Sequence, residues 1–197
     1  MARVTRAMSS SWRSNILSAS EALEVAKTCR RVAVLGIKTA EKRDQPAYHV
    51  PEYLQSCGVE VIPVPVYYPD VKVSHPNEIS SILSYLIVSP PGWTDSPPQT
   101  PPPPPPFVKE ILGKPVYRRI GEIPRPDELD VVDVFRRPKD LHQHLDDLLA
   151  AKPKCVWLQS GIAHREFEEE LAMNGIKVVS SRCLLLDHQA ATRSSNL

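Results

Sequence analysis

Residues 31–36 read Arg-Val-Ala-Val-Leu-Gly, an apolar run that follows a charged residue and stops at a glycine. A continuous run of this kind, without alternating polar side chains, is typical of a strand buried on both faces of a parallel sheet. Four further strand candidates follow at residues 60–65, 130–135, 155–159 and 177–179. The pattern that starts at residue 31 therefore predicts a sheet of about five strands.

Helix signals separate these strands. Asp44 is a candidate helix cap, Pro46 presets the first turn, and Gly58 ends the segment. A second helix is predicted to begin at Pro138, and a third spans residues 165–174. Alternation of strands and helices predicts an α/β fold, an open parallel sheet with helices on both faces. Such sheets bind ligands beyond the carboxyl ends of their strands, where the strand order reverses.

Composition excludes several classes of function. The 197 residues include 24 Lys plus Arg and 23 Asp plus Glu, and the net charge of +1 gives no overall field for nucleic acid or anionic membrane. Apolar runs of about six residues fall short of the roughly 20 needed to cross a bilayer, so we expect a soluble protein. No CxxC pair occurs, and we expect four reduced thiols: Cys29, Cys57, Cys155 and Cys183.

A proline-rich segment at residues 73–109 interrupts the pattern. It holds 11 of the 21 prolines, including the run at 101–106, and is predicted to be disordered because a polyproline helix has no internal hydrogen bonds. The Val-Lys pair at 71–72 recurs at 108–109, and valine codons begin with GT while one lysine codon ends with AG. These marks favour a retained intron. The alternative is a genuine loop that binds an SH3-like or WW-like partner.

The first residues form another compositional unit. Many arginines and serines precede the first acidic residue, Glu21, as in an organellar transit peptide. Residues 18–30 also fit a short helix with Ser20 as a possible cap. We expect a cytoplasmic protein, with a mitochondrial or plastid location as the alternative. The predicted organisation is an extension at 1–27, a domain at 28–189 interrupted by 73–109, and a tail at 190–197.

Three strand ends are predicted to meet at one cleft. Gly36 closes the first strand, and a glycine there allows the backbone to approach a phosphate. Phe135, Arg136 and Arg137 follow the third, where guanidinium groups suit phosphate oxygens and the ring can cover a base. A small-residue turn at 159–161 follows the fourth. Surface arginines without a ligand remain the alternative.

The two sequence features that best indicate a nicotinamide dinucleotide site are both missing. The GxGxxG pattern is absent after the first strand. No carboxylate follows the second strand before Asp70, where a ribose would be held.

Taken together, the runs at 32–36, 61–64, 110–113, 130–138, 156–161 and 181–184 resemble the small single-domain CoA-binding proteins. These are similar to the CoA-binding domain of the succinyl-CoA synthetase α-subunit. The resemblance covers about residues 28–189 without the proline-rich segment, and it implies a Rossmann-like fold with coenzyme A or an acyl-CoA as ligand. It also implies three sets of contacts: Gly36, Ile37, Lys38 and Thr39 at the pyrophosphate; Pro65, Val66, Phe135 and Arg136 around the nucleotide; and Gln159, Ser160 and Gly161 near the pantetheine arm.

Catalytic signals are weak. His142 and His144 are two apart on a predicted helix, so they project to opposite faces and cannot chelate one metal ion. His164 suits packing at a helix start better than catalysis, and Cys183 is either a buried apolar side chain or a reactive thiol. We therefore expect a CoA-binding module without a metal ion or catalysis of its own, and no nucleic-acid or membrane partner. The alternatives are a small NAD(P)- or acyl-CoA-dependent enzyme and a proline-rich interaction protein.

Overall fold

The computed structural model describes residues 12–66 and 110–193. Five of its strands form one sheet in the order β2-β1-β5-β6-β7, and the other two form a small antiparallel hairpin. Every pairing in the large sheet is parallel. The strands are β1 (Arg31–Leu35), β2 (Glu60–Val64), β3 (Glu110–Ile111), β4 (Lys114–Pro115), β5 (Val131–Val134), β6 (Cys155–Leu158) and β7 (Lys177–Val179).

Helices cover both faces of this sheet. Side chains of α3 and α4 pack on one face, and side chains of α1, α2 and α5 pack on the other. The predicted α/β fold, a Rossmann-like parallel sheet, is thus confirmed. In the described part of the chain, no helix has the length and apolar character to cross a membrane. The helices are α1 (Ala19–Thr28), α2 (Pro46–Ser56), α3 (Leu145–Ala151), α4 (Arg165–Met173) and α5 (Leu184–Arg193).

The central strands form because their residues are apolar on both sides. All four residues of β5 and of β6 are buried, as are the last four residues of β1. Pro63 lies inside β2, and it is tolerated because β2 is an edge strand that needs no ladder bonds on its outer side. Its carbonyl accepts a hydrogen bond from the N–H of Tyr117 at 2.9 Å.

The start of α2 corrects one prediction. Pro46 is the first helical residue, as expected, but the N-cap is Gln45 and not Asp44. A proline at the first position forces the residue before it into an extended conformation, which is what a cap requires. Gln45 has φ −90° and ψ 141°, and its side chain makes no capping hydrogen bond.

The start of α1 corrects a second prediction, because Ser18 and not Ser20 is the N-cap. Ser18 and Glu21 form a capping box, in which each side chain accepts the other residue's backbone N–H. Just before it, the N–H of Leu17 donates to the carbonyl of Val178 at 2.9 Å. This bond ties the segment before α1 to β7, and at the other end of the described residues α5 runs to Arg193.

The segment from Pro138 departs from a regular helix. Pro138–His144 is a 3-10 helix, and the α-helical geometry of α3 starts only at Leu145. Shorter 3-10 turns lie at Trp12–Asn15, Ala40–Lys42, Ile120–Glu122 and Pro126–Glu128. The whole proline-rich segment predicted at 73–109, and the last four residues of the chain, lie outside the described residues.

The order of the strands in the sheet indicates where a ligand is expected to bind. The chain runs from β1 to β2 at one edge, and the next strand of the sheet, β5, lies on the other side of β1. The order therefore reverses between β1 and β5. Open α/β sheets bind ligands at such a point, beyond the carboxyl ends of the strands.

Candidate functional site

A cleft of about 560 Å³ opens at the carboxyl ends of β1, β5 and β6. Segments that follow these three strands supply most of its lining, and Cys183, just before α5, completes it. The cleft thus lies at the point where the strand order reverses. The remaining lining residues are Lys38, Gln45, Pro46, Ala47, His49, Val50, Phe135, Arg136, Arg137, Pro138, Gln159, Ser160 and Ile162.

Gly36 follows β1 directly, between the ends of the two strands that flank it, β2 and β5. Its N–H donates to the carbonyl of Val64 at 2.8 Å, and one residue earlier the carbonyl of Leu35 accepts from the N–H of Phe135 at 2.8 Å. A Cβ atom on Gly36 would lie 2.5 Å from the carbonyl oxygen of Phe135, and its φ is +93°. Glycine is therefore required here by the neighbouring strand, in addition to any approach of a ligand.

The loop after Gly36 is tied to the start of α2. Pro51 has no N–H, so the carbonyl of Ala47 lacks the bond that a regular helix would give it. That carbonyl accepts a hydrogen bond from the N–H of Lys38 at 3.1 Å. Both Lys38 and Ala47 line the cleft. The N-terminal end of α2, where the backbone dipoles favour an anion, is thereby held against the loop that carries Lys38.

Three cationic side chains line the cleft in different settings. Arg136 is 4% exposed, and the neighbouring Asp140 is also buried. Asp140 accepts a hydrogen bond from Nε of Arg137 at 2.6 Å and lies 4.0 Å from a terminal nitrogen of Arg136. Within the ranges the structure describes, Lys38 makes no ion pair. Its charge is therefore the one least compensated by the protein.

A buried polar pair lies at the end of β5 and β6. Nε2 of Gln159 donates to both carboxyl oxygens of Asp133, at 2.8 and 3.0 Å. Gln159 is 4% exposed and lines the cleft, whereas Asp133 is fully buried. Burial raises the pKa of Asp133 to about 8, against the lowering effect of the hydrogen bond from Gln159. The pair fixes the orientation of the Gln159 amide.

The structure brings half of the predicted site residues into the lining of this cleft, and the other half lie outside that lining. Gly36 and Ile37 form the turn beneath it, Ile37 being buried, and Thr39 instead lines a smaller cavity of about 310 Å³. Pro65 and Val66 follow β2; Val66 packs on the core. Gly161 donates its N–H to the hydroxyl of Ser181 at 3.1 Å. The predicted residues that do line the cleft are Lys38, Phe135, Arg136, Arg137, Gln159 and Ser160.

Sequence analysis missed the contribution of α2. Gln45, Ala47, His49 and Val50 line the cleft, and the hydrogen bond from Lys38 to Ala47 holds the start of α2 against the loop after Gly36. The available signal was Pro46, which marks where a helix begins after a strand that ends in glycine. Cys183 is half-buried and lines the cleft, so it is neither sealed in the core nor fully exposed.

Comparison with known proteins gives a consistent result. A family model described as a CoA binding domain matches residues 103–189. An uncharacterized protein of Bacillus subtilis (strain 168), YneT, is 23% identical over 171 residues, which cover 87% of this chain and 94% of that protein.

Solved structures extend the comparison. A structure from Thermus thermophilus, cell-free ID.343, shares 30% identity with a TM-score of 0.63, and the match covers 89% of this chain and 99% of that one. A hypothetical protein from Pyrococcus horikoshii OT3 has the same fold, at 21% identity and a TM-score of 0.61, over 91% of this chain and 95% of its own.

Proposed function

The chain belongs to the CoA-binding domain family, and from this premise we propose that it binds coenzyme A or an acyl-CoA in the cleft at the carboxyl ends of β1, β5 and β6. The observation that carries the proposal is the position of the cleft. It lies where the strand order reverses, and it combines cationic side chains with a largely apolar wall.

The phosphate groups of the ligand have defined partners in this proposal. Coenzyme A carries a diphosphate and a ribose phosphate, which are anions at neutral pH. Lys38 and Arg137 supply cations at the cleft, and the start of α2 adds the favourable end of its backbone dipole. Pro46 has no N–H, so the helix offers one donor fewer than a start without proline.

The pantetheine arm has a polar partner in Gln159. Because Nε2 of Gln159 is directed at Asp133, Oε1 is the amide atom left to accept a hydrogen bond from the ligand. A pantetheine arm offers amide N–H donors for this purpose. Phe135 and Val50 give the arm and the adenine ring apolar surface.

Calorimetric titration of the full chain tests the proposal. We expect coenzyme A to bind in the micromolar range, on the order of −8 kcal/mol. Lys38→Met should weaken binding roughly tenfold to hundredfold, because a hydrogen bond to a charged group contributes about 1.5–3 kcal/mol. Lys42→Met is the matched control, since Lys42 lies in the next 3-10 turn and does not line the cleft.

A second comparison separates the two halves of the ligand. Gln159→Met should weaken coenzyme A binding by about fivefold, the value of one neutral hydrogen bond, and leave adenosine 3′,5′-bisphosphate unaffected because that compound lacks the arm. Absence of binding heat at millimolar coenzyme A would contradict the proposal. Turnover of an acyl-CoA or a nicotinamide substrate would instead favour the enzymatic alternative.

A further inference from the structure

Two imidazoles and a carboxylate meet on the segments that follow two neighbouring strands, β5 and β6. His142 lies near the end of the 3-10 helix after β5, and His164 and Glu166 lie at the start of α4 after β6. One ligating atom from each of the three side chains lies within 4.8 Å of the other two. Sequence analysis predicts that His142 and His144 cannot chelate one metal ion together, and the structure brings His142 to His164 on a different element instead.

The arrangement of the two imidazoles is close and well defined. The rings of His142 and His164 meet edge to face, with centroids 4.6 Å apart. His142 also contacts the ring of Phe167, which is fully buried. The backbone N–H of His164 donates to Glu168 at 2.8 Å, and the same carboxylate oxygen accepts from the hydroxyl of Ser180. The backbone that carries His164 is therefore held in place.

Most ligating atoms of the cluster are not engaged elsewhere. Across residues 12–66 and 110–193, the side chains of His142 and Glu166 make no hydrogen bond or ion pair. The neighbouring carboxylates on α4 differ in this respect, because Glu168 binds His164 and Ser180 while Glu169 pairs with Arg165. Glu166 is thus a carboxylate without a described cation, beside two imidazoles.

The distances fit a metal ion after small side-chain rotations. Zinc binds histidine nitrogen and carboxylate oxygen at about 2.0–2.2 Å, which places tetrahedral ligands about 3.4 Å apart. The atoms of the cluster need to approach each other by little more than 1 Å, on the order of one side-chain rotation. His142 and Glu166 are exposed, so such rotation meets little resistance.

Metal binding would replace one existing hydrogen bond. Nδ1 of His164 accepts from the N–H of Phe167 at 3.4 Å, which caps α4. When either ring nitrogen of a neutral histidine binds a metal, the other carries the proton, so Nδ1 can no longer accept that bond. The loss is small because 3.4 Å lies beyond the usual range of an N–H donor. A cation at a helix start is opposed by the backbone dipole, and the Glu166 carboxylate offsets this.

We propose that His142, His164 and Glu166 form a binding site for a divalent transition-metal ion such as Zn²⁺. Two histidines and one glutamate are a known set of three protein ligands for zinc, and water completes the coordination. None of these three residues lines the cleft proposed for CoA. It does not depend on the proposed function.

Titration of the full chain with zinc chloride tests the site, with cobalt(II) absorption as a second readout of tetrahedral coordination. We expect one strong equivalent for the unmodified chain. His142→Ala and Glu166→Gln should each weaken this equivalent by at least about tenfold. Glu170→Gln is the matched control, because it removes a carboxylate from the same helix outside the cluster and should bind like the unmodified chain.

A further variant distinguishes a loss of zinc binding from a loss of folding. His164→Asn removes the imidazole but keeps a residue that caps helices well, so the melting temperature should be retained while zinc binding is lost. The proposal is overturned if the unmodified chain fails to bind zinc at millimolar concentration. It is equally overturned if His142→Ala and His164→Asn bind zinc as tightly as the unmodified chain does.

Discussion

Gly36 illustrates how a single position links sequence, fold and site. A glycine at the end of a strand is usually explained by the approach of a ligand, but here the backbone of Phe135, just after β5, already occupies the space of a side chain. The conformation of Gly36, with φ +93°, is also one that other residues adopt only with strain. The residue therefore sets the spacing of β1 and β5 at the cleft before any ligand arrives.

Gly36→Ala is expected to lower the free energy of unfolding by about 2–4 kcal/mol, through backbone strain together with overpacking. Gly175→Ala separates the two causes. Gly175 has φ +83° and nothing within 4 Å of an added Cβ, so this variant should lose only the part due to strain. Equal losses in chemical denaturation would show that the contact with Phe135 is unimportant.

Asp133 is a fully buried carboxyl whose charge state affects stability. Burial raises its pKa to about 8 from an ordinary 3.8. Between these pH values the folded protein keeps a proton that the unfolded chain has released. The free energy of unfolding therefore falls as the pH rises through this window, by up to about 1.4 kcal/mol per pH unit.

Asp133→Asn should remove this slope. We expect the variant to gain stability relative to the unmodified chain as the pH rises from about 4 to about 8, measured by denaturation at several pH values. Asp130 provides a contrast: burial raises its pKa, but hydrogen bonds from Lys154 and two backbone N–H groups outweigh this and lower it. Asp130→Asn should therefore lose stability above about pH 4. Parallel pH profiles for Asp133→Asn and the unmodified chain would contradict the account.

At the scale of elements, the helix starts show where local patterns mislead. Both Ser18 and Ser20 precede an apolar stretch, and either can cap a helix by residue type alone. The deciding residue is Glu21, which lies three positions after Ser18 and whose carboxylate accepts a hydrogen bond from the backbone N–H of Ser18. Similarly, leucine spacing after Pro138 predicts a helix but does not distinguish its initial 3-10 geometry.

Ser18→Ala is expected to lower the free energy of unfolding by about 1 kcal/mol, since it removes the capping box of a helix whose buried face packs on the core. Ser20→Ala should have little effect because that residue is exposed in the first turn of α1. Thermal unfolding of the two variants measures the difference. A larger loss for Ser20→Ala would reverse the assignment of the cap.

At the level of the whole molecule, the positions of the strands in the sequence were predictable, but the order in which they pair in the sheet was not. The apolar runs at 31–36 and 177–179 indicate buried strands because no other element buries such short runs on both faces. The order β2-β1-β5-β6-β7 depends on which strands pair, and no residue in one strand reports this. Predicting a cleft at the strand ends was possible from the general rule for open sheets, without knowing that order.

Contacts between residues that are far apart in the sequence could not be predicted from local sequence patterns either. Asp133 and Gln159 are 26 positions apart and meet because β5 and β6 are neighbours in register. His142 meets His164 for the same reason, on the loops that follow these strands. The contribution of α2 to the cleft likewise depends on the hydrogen bond from Lys38 to Ala47, which holds the start of the helix against the loop after β1.

The most direct test of the central claim is a crystal structure of the full chain soaked with coenzyme A. We predict the diphosphate within hydrogen-bonding distance of Lys38 and Arg137, beside the start of α2, with the pantetheine arm passing Gln159. A cleft that remains empty at millimolar coenzyme A, or a ligand bound away from the carboxyl ends of β1, β5 and β6, would contradict the claim.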